Sequence, residues 1–314
     1  MNSMIAFYAL VFFASMLCVF AWSKLNRRIF GIDINKLSQP KISESTGIVL
    51  LIPLWLAIAY FETQAFNIDF IAFGLMVSAF ALIGFLDDTK HKWKTKAMPW
   101  ASRALMIAIV SLIFAWIFAP SIWWIIPIAL FIAGLASFQN TFAGLNGWQG
   151  GSGFIIAIAV SILLAGSAFF QLSIVLAAII LGFLAWNYYP ARVLEGDSGT
   201  LLIGSAIAGL LVMNASIELM AFSLLLYIPH VVDFFFLKLL TNKKDPSQQK
   251  QRPYKLLKSG KLAIPEYPDG RERLDFAKLV IKVFGPLREW QIVLVIWIVV
   301  AANAGFWLKV SGIL

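Results

Sequence analysis

The chain has 314 residues, of which 61% are hydrophobic and 13% charged, with a formal net charge of +9. Soluble domains carry about 25% charged residues, so this composition excludes an ordinary soluble domain. The basic residues fall between long apolar runs, so the positive charge does not imply a nucleic-acid partner. The one cysteine, Cys18, excludes an intrachain disulfide.

Several apolar runs reach the roughly 20 residues that cross a bilayer. In chain order, ten spans are predicted at 4–22, 46–61, 68–86, 98–118, 121–139, 151–167, 171–188, 199–214, 217–239 and 289–311. The first has no basic residue before it and no small-residue cleavage site after it, and reads as a retained helix rather than a signal peptide. The predicted fold class is therefore an all-α polytopic membrane protein of about ten helices. It forms a single integral membrane unit, 1–314, with one polar insertion at 240–287.

Between spans one and two lies GIDINKLSQPKISESTG (Gly31 to Gly47), whose Glu44 also reads as a carboxylate favoured near a helix start. The third span ends in Asp87-Asp88, followed by His91 and Lys90, Lys92, Lys94 and Lys96. Two adjacent carboxylates at a membrane surface hold a divalent cation, prepare a nucleophile, or mark a solvated helix end; the pair alone does not choose. Mg²⁺ needs only one or two carboxylates plus substrate phosphates, and lysines beside it neutralise phosphate charge. The same lysines also read as membrane-surface anchors, and His91 as a solvated loop residue.

SFQNTFAGLNGWQGGSG (Ser137 to Gly153) follows the fifth span. Its asparagines Asn140 and Asn146 offer donor and acceptor together. Its glycines either let backbone N–H groups approach a phosphate or form a flexible loop. EGDSGT (Glu195 to Thr200) opens the eighth span. There Asp197 and Ser198 either cap the helix or sit where its N-terminus attracts an anion. In the last insertion, Arg271 to Phe284 reads as an amphipathic helix with Leu274, Lys278, Ile281 and Lys282 at roughly helical spacing.

Alternate loops (23–45, 87–97, 140–150, 189–198 and 240–288) hold nearly every Lys and Arg, while the other loops (62–67, 119–120, 168–170 and 215–216) hold none. The positive-inside rule then predicts the first set in the cytoplasm and both termini outside. The polar chemistry crowds that same face. A channel or transporter usually places polar groups at mid-membrane, so the pattern favours an enzyme at the cytoplasmic interface.

Taken together, these stretches resemble the polyprenyl-phosphate sugar-1-phosphate transferases, most closely their eukaryotic and archaeal branch acting on UDP-N-acetylglucosamine and dolichyl phosphate. The carriers are D-I-N-K at 33–36, E-S-x-G at 44–47, G-F-L-D-D at 84–88 with Trp93 and Lys96, N-T-F-A-G-L-N-G at 140–147, G-D-S-G at 196–199, K-S-G-K-L at 258–262 and K-V-F-G-P-L at 282–287. Each motif is short; their order and common face make the combination specific. The resemblance implies ten helices with a cytoplasmic site. It also implies a reaction in which a lipid phosphate attacks the β-phosphorus of a UDP-sugar and releases UMP, as a first step of lipid-linked glycan assembly.

The resemblance places Asn140 and Asp197 at metal positions for Mg²⁺, with Mn²⁺ as a substitute. Lys96 matches a position on the diphosphate, and Asp87 and Asp88 lie near the reacting phosphates, their role as base left open. Gly144 and Asn146 match positions on the uridine, and Glu44 one on the nucleotide side. The partners implied are a UDP-sugar, a dolichyl or polyprenyl phosphate and membrane lipid; a homodimer is a further candidate. Two departures stand out. Where the family has a His- and Arg-rich motif, this chain has Gln248 to Pro253, with only Lys250 and Arg252 to supply cations. Where it has an aromatic on the uracil, this chain has Leu194.

An intramembrane prenyltransferase is the rival enzyme, but its DDxxD motif is missing: the third position after Asp88 is His91, and no second DxxxD motif occurs. A transporter is the rival of another class, and Asn187, Asp233 and Asn303 are few for it. The compact last loop and short termini favour a prokaryotic-type cell membrane over the endoplasmic reticulum.

Overall fold

The computed structural model of the chain describes residues 2–92, 98–241, 253–266 and 273–313, and within these not the side chains of 2 and 90–92. Lys96, Lys250 and Arg252 lie outside the described residues.

The apolar runs form helices. They are α1 (Asn2–Leu25), α2 (Leu51–Gln64), α3 (Ile68–Lys92), α4 (Trp100–Phe118), α5 (Ile125–Thr141), α6 (Trp148–Leu163), α7 (Phe170–Asn187), α8 (Gly196–Met213) and α12 (Glu289–Val310). Between α8 and α12, the predicted ninth span is irregular. It runs through α9 (Ile217–Ser223), a 3-10 turn, α10 (Ile228–Val231) and a π-helical segment, Val232–Leu239. Pro229 removes one backbone donor there, and the wider π turn places Asp233 inward.

Among the described residues, nine helical spans are long and apolar enough to cross a membrane. The remaining predicted span, the sixth (151–167), is α6, whose 16 residues rise about 24 Å, short of the roughly 30 Å hydrocarbon core. The chain is an all-α polytopic membrane protein. Large apolar side chains such as Leu10, Leu17, Trp116 and Leu130 face outward, as a lipid-facing surface requires.

Helix α8 is the axis of the bundle, with 89% of its span buried. It packs chiefly on α3 and α5. Small residues permit this: a Cβ on Gly204 would stand 2.6 Å from Ala136 Cα, and one on Gly209 2.4 Å from Met76 Cε. Close backbone approach is how helices gain packing where lipid is as apolar as leucine.

Three local structures differ from the sequence expectations. The loop after α1 folds into a hairpin, β1 (Phe30–Ile32) with β2 (Lys41–Ser43), because Asn26 accepts from Arg28 and Ile29 N–H and donates to Ile29 O and Ser43 Oγ. The Gly-rich run is no phosphate loop. Gly150, Gly151 and Gly153 lie inside α6, where they admit Phe183, Trp297 and Ile203; a Cβ on Gly151 would stand 2.0 Å from the Trp297 ring. In the last insertion, a small hairpin of β3 (Lys255–Leu256) and β4 (Leu262–Ala263) precedes α11. Helix α11 covers Phe276–Phe284, later than the predicted start, because Asp275 caps it by accepting the Lys278 N–H at 2.8 Å. Asp233 of the π segment accepts the Phe276 N–H at 2.7 Å and ties the insertion to the ninth span.

Candidate active site

The sequence motifs meet at the N-terminus of α8. Glycine makes the meeting possible: a Cβ on Gly84 of α3 would lie 2.3 Å from Asp197 O, and one on Gly47 2.0 Å from Gly199 N. Three motifs far apart in sequence thus touch backbone to backbone.

Helix α8 begins at Gly196 without a cap from its own side chains. Asp197 and Ser198 do not cap it, contrary to one sequence reading. Asp88 does so from α3: Oδ1 accepts Asp197 N–H at 2.9 Å, and Oδ2 accepts Ser198 N–H at 3.3 Å and Ser45 O–H at 2.6 Å. An anionic cap both satisfies orphan donors and suits the positive end of the helix dipole. Its neighbour Asp87 faces elsewhere. Arg103, on the first turns of α4, donates from Nη1 to Asp87 Oδ2 at 2.8 Å and to Asp197 Oδ2 at 2.5 Å.

Beside this point opens a cavity of about 240 Å³. Five residues expected from the sequence line it: Glu44, Asn140, Gly144, Asn146 and Asp197. The Asn140 side chain, on the last turn of α5, lies within hydrogen-bonding reach of Asp197. Gln149 of α6 steadies that turn by donating to Asn140 O at 3.0 Å.

The Gly144–Gly147 turn is braced from three sides. Asn146 Nδ2 donates to Asp33 Oδ2 at 2.8 Å, and Asn146 N–H to Glu289 Oε1 at 2.8 Å. Lys36 joins both acids, at 2.5 Å from Glu289 and 3.3 Å from Asp33. Asn187 accepts the Gly147 N–H and donates to Val193 O, linking this turn to the loop before α8. Asp33 and Lys36 are the ends of the D-I-N-K motif, so that motif acts as a brace for the turn.

Glu195, Thr200, Tyr254 and Arg103 escaped the sequence reading as site residues. Leu194, Glu195 and Thr200 also line the cavity, and Tyr254 of the insertion sits against Gly144, where a Cβ would stand 2.9 Å from its hydroxyl. Glu195 is buried, and its Oε2 has no hydrogen-bond partner. Burial pushes its carboxyl up to about 8. Arg103 carried no motif signal, since it lies in an apolar run. Asp87 and Asp88 are not in the cavity lining; they stand behind Asp197.

No cluster of three or more His, Cys, Asp or Glu arranged to hold a metal occurs among the described residues. A closed structural metal cage is therefore not built from them. The Asn140–Asp197 pair offers hard oxygen ligands in an open cavity, which fits Mg²⁺ or Mn²⁺ completed by substrate phosphates.

A bundle of apolar helices with a polar cavity at one helix N-terminus defines an integral membrane protein with a polar site. Residues 70–215 match the family described as glycosyl transferase family 4. The chain is 30% identical over 311 residues to a provisionally named glycosyltransferase of Methanocaldococcus jannaschii, covering 96% of this chain and 93% of that one. It is 30% identical over 303 residues to a provisionally named UDP-N-acetylglucosamine–dolichyl-phosphate N-acetylglucosaminephosphotransferase of Saccharolobus solfataricus, covering 86% and 84%. It is also 27% identical over 220 residues to the phospho-N-acetylmuramoyl-pentapeptide-transferase of Halalkalibacterium halodurans, covering 60% and 68%. The chain belongs to this family, the polyprenyl-phosphate sugar-1-phosphate transferases. Its activity is the transfer of a sugar phosphate from a nucleotide sugar to a polyprenyl phosphate carrier.

Proposed function

We propose that the enzyme transfers N-acetylglucosamine-1-phosphate from UDP-N-acetylglucosamine to dolichyl or another polyprenyl phosphate, with Mg²⁺, on the cytoplasmic face of a cell membrane. The observation that carries this reading is the lining of one cavity, which combines the Asn140–Asp197 oxygen pair with the braced Gly144–Asn146 turn. The names of the archaeal relatives support the sugar and the lipid. The crowding of polar residues and basic loops on one face supports the orientation.

In this reading Asn140 and Asp197 hold the divalent ion, which when bound neutralises phosphate charge and acts as a Lewis acid. Asp88 is a positioning residue: by holding the Asp197 and Ser198 N–H groups it fixes the direction of the Asp197 side chain. Asn146 receives the uridine. With its amide donating to Asp33, its Oδ1 is turned by that bond and is left to accept from the base. Glu44 and Gly144 complete the nucleotide side, with Leu194 giving an apolar surface where relatives of the family stack an aromatic. The resemblance assigns Lys96 to the diphosphate, Asp87 to the reacting phosphates, and Lys250 and Arg252 to the sugar side.

A lipid phosphate is already ionised near neutral pH, so its oxygen needs little general-base help. Direct displacement follows. The lipid oxygen bonds to the β-phosphorus, the bond from that phosphorus to the bridging oxygen breaks, and UMP leaves with that oxygen. Cations at the site stabilise the developing charge. The test is a panel of UDP-sugars offered to purified enzyme with Mg²⁺ and polyprenyl phosphate. UMP release dependent on lipid and fastest with UDP-N-acetylglucosamine is expected. A preference for another UDP-sugar overturns the sugar assignment, and release that does not need lipid overturns the acceptor.

A further inference from the structure

The acids gathered at the α8 N-terminus set a physical problem. Asp87 and Asp197 lie close enough for their carboxylates to raise each other's energy. The cation that the described residues bring to them is Arg103, whose Nη1 stands 2.8 Å from one and 2.5 Å from the other. Asp197 Oδ2 is thereby occupied. A hard divalent ion needs a carboxylate oxygen at about 2.0–2.1 Å, and a guanidinium on the same oxygen would face it as a like charge.

We propose that Arg103 is the resident counter-cation of the metal site: it holds Asp87 and Asp197 together in the metal-free enzyme and must leave Asp197 when a divalent ion binds. The inference rests on the reading of Asp197 as a metal ligand. The setting permits the exchange. The Arg103 side chain is 35% exposed, against 28% for Asp197 and 11% for Asp87. It sits near the start of α4, where long flexible methylenes allow the head group to swing while the helix stays put. Asp87 retains the guanidinium after Asp197 lets go, so the arginine is displaced without being expelled. Metal binding then carries the cost of breaking one charge-assisted pair. Removing the arginine leaves two facing carboxylates, which repel each other and favour any cation that arrives. A merely structural pair behaves differently, because its loss destabilises the fold and leaves metal affinity unchanged.

The experiment is a titration of metal-free protein in detergent with Mn²⁺, reading free ion by electron paramagnetic resonance, alongside thermal unfolding without metal. Arg103→Gln is expected to bind Mn²⁺ roughly five- to tenfold more tightly than the parent, a coupling of ordinary size, and to unfold at lower temperature when metal-free. Arg103→Lys, which keeps the charge but loses the forked geometry, is expected to fall between them and serves if the glutamine variant does not fold. Equal Mn²⁺ affinity in parent and variant, or weaker binding in the variant, overturns the proposal. Asp197→Asn separates this from failure of the metal reading: if it binds Mn²⁺ as the parent does, Asp197 is no ligand and both ideas fall.

Discussion

The Asp88 carboxylate accepts the backbone N–H of Asp197 at 2.9 Å, across 109 residues of sequence. One acid of the Asp-Asp pair thus orients the acid that lines the cavity. Its job in the structure is that of a helix cap supplied by another helix.

Asp88→Ala removes three hydrogen bonds at once, two from the α8 terminus and one from the Ser45 hydroxyl. Loss of a cap costs about 1 kcal/mol, and its charged character adds to that, so unfolding temperature is expected to fall by several degrees. Turnover is expected to fall roughly 100-fold or more, because a small misplacement of a reacting group costs that much. Ser45→Ala, which removes one of the three bonds, is expected to show a smaller loss of both. Thermal unfolding and steady-state rates on the same preparations check this. An Asp88→Ala enzyme of normal stability contradicts the capping role.

Asp197→Ala is expected to abolish turnover while the helical content and detergent-solubilised yield stay near the parent's. The side chain is not needed for the cap, which uses its backbone N–H. Normal activity in that variant removes Asp197 from the metal site.

Gly84→Ala tests the backbone contact under the site. Its Cβ would come 2.3 Å from Asp197 O, whereas a Cβ on Gly134 meets nothing within 4 Å. Overpacking of this kind costs about 1–3 kcal/mol. Gly84→Ala is expected to lose stability and activity together, and Gly134→Ala to lose little of either beyond its effect on helix propensity. Comparable unfolding temperatures for the two variants contradict the close approach.

Glu195 sets a pH dependence. Its folded-state value, about 8, is above the ordinary 4.5, so the folded protein holds the proton more tightly than the unfolded chain. Below 4.5 both states are protonated and the group costs nothing. Stability then declines as pH rises from about 4.5 to 8, where burial of the charged form is fully felt. Thermal unfolding in EDTA between pH 5 and 9 should show Glu195→Gln gaining on the parent toward alkaline pH. A constant difference between the two contradicts the assignment.

The spans were legible because a bilayer demands long apolar runs and little else, and the D-D, N-x-x-x-x-x-N and G-D-S-G motifs stand out as polar islands at their ends. The joining of Glu44, Asn140, Gly144, Asn146 and Asp197 in one cavity followed from their common face. Other relationships depend on contacts between distant elements, which no local pattern reports. Arg103 sits in an apolar run, and only the fold brings it to Asp87 and Asp197. The glycines at 150, 151 and 153 look like a loop in sequence, yet they answer to the ring of Trp297 and its neighbours. Asp33 and Lys36 gave a motif without a role until the hairpin placed them under Asn146.

The central claim is that a sugar travels with its phosphate to a lipid. UDP-N-acetylglucosamine labelled at the β-phosphorus, incubated with enzyme, Mg²⁺ and polyprenyl phosphate, tests it most directly. The account predicts label in the organic-soluble lipid with stoichiometric UMP, and neither with Asp197→Ala. Release of UDP, with the label remaining on the nucleotide, would contradict it.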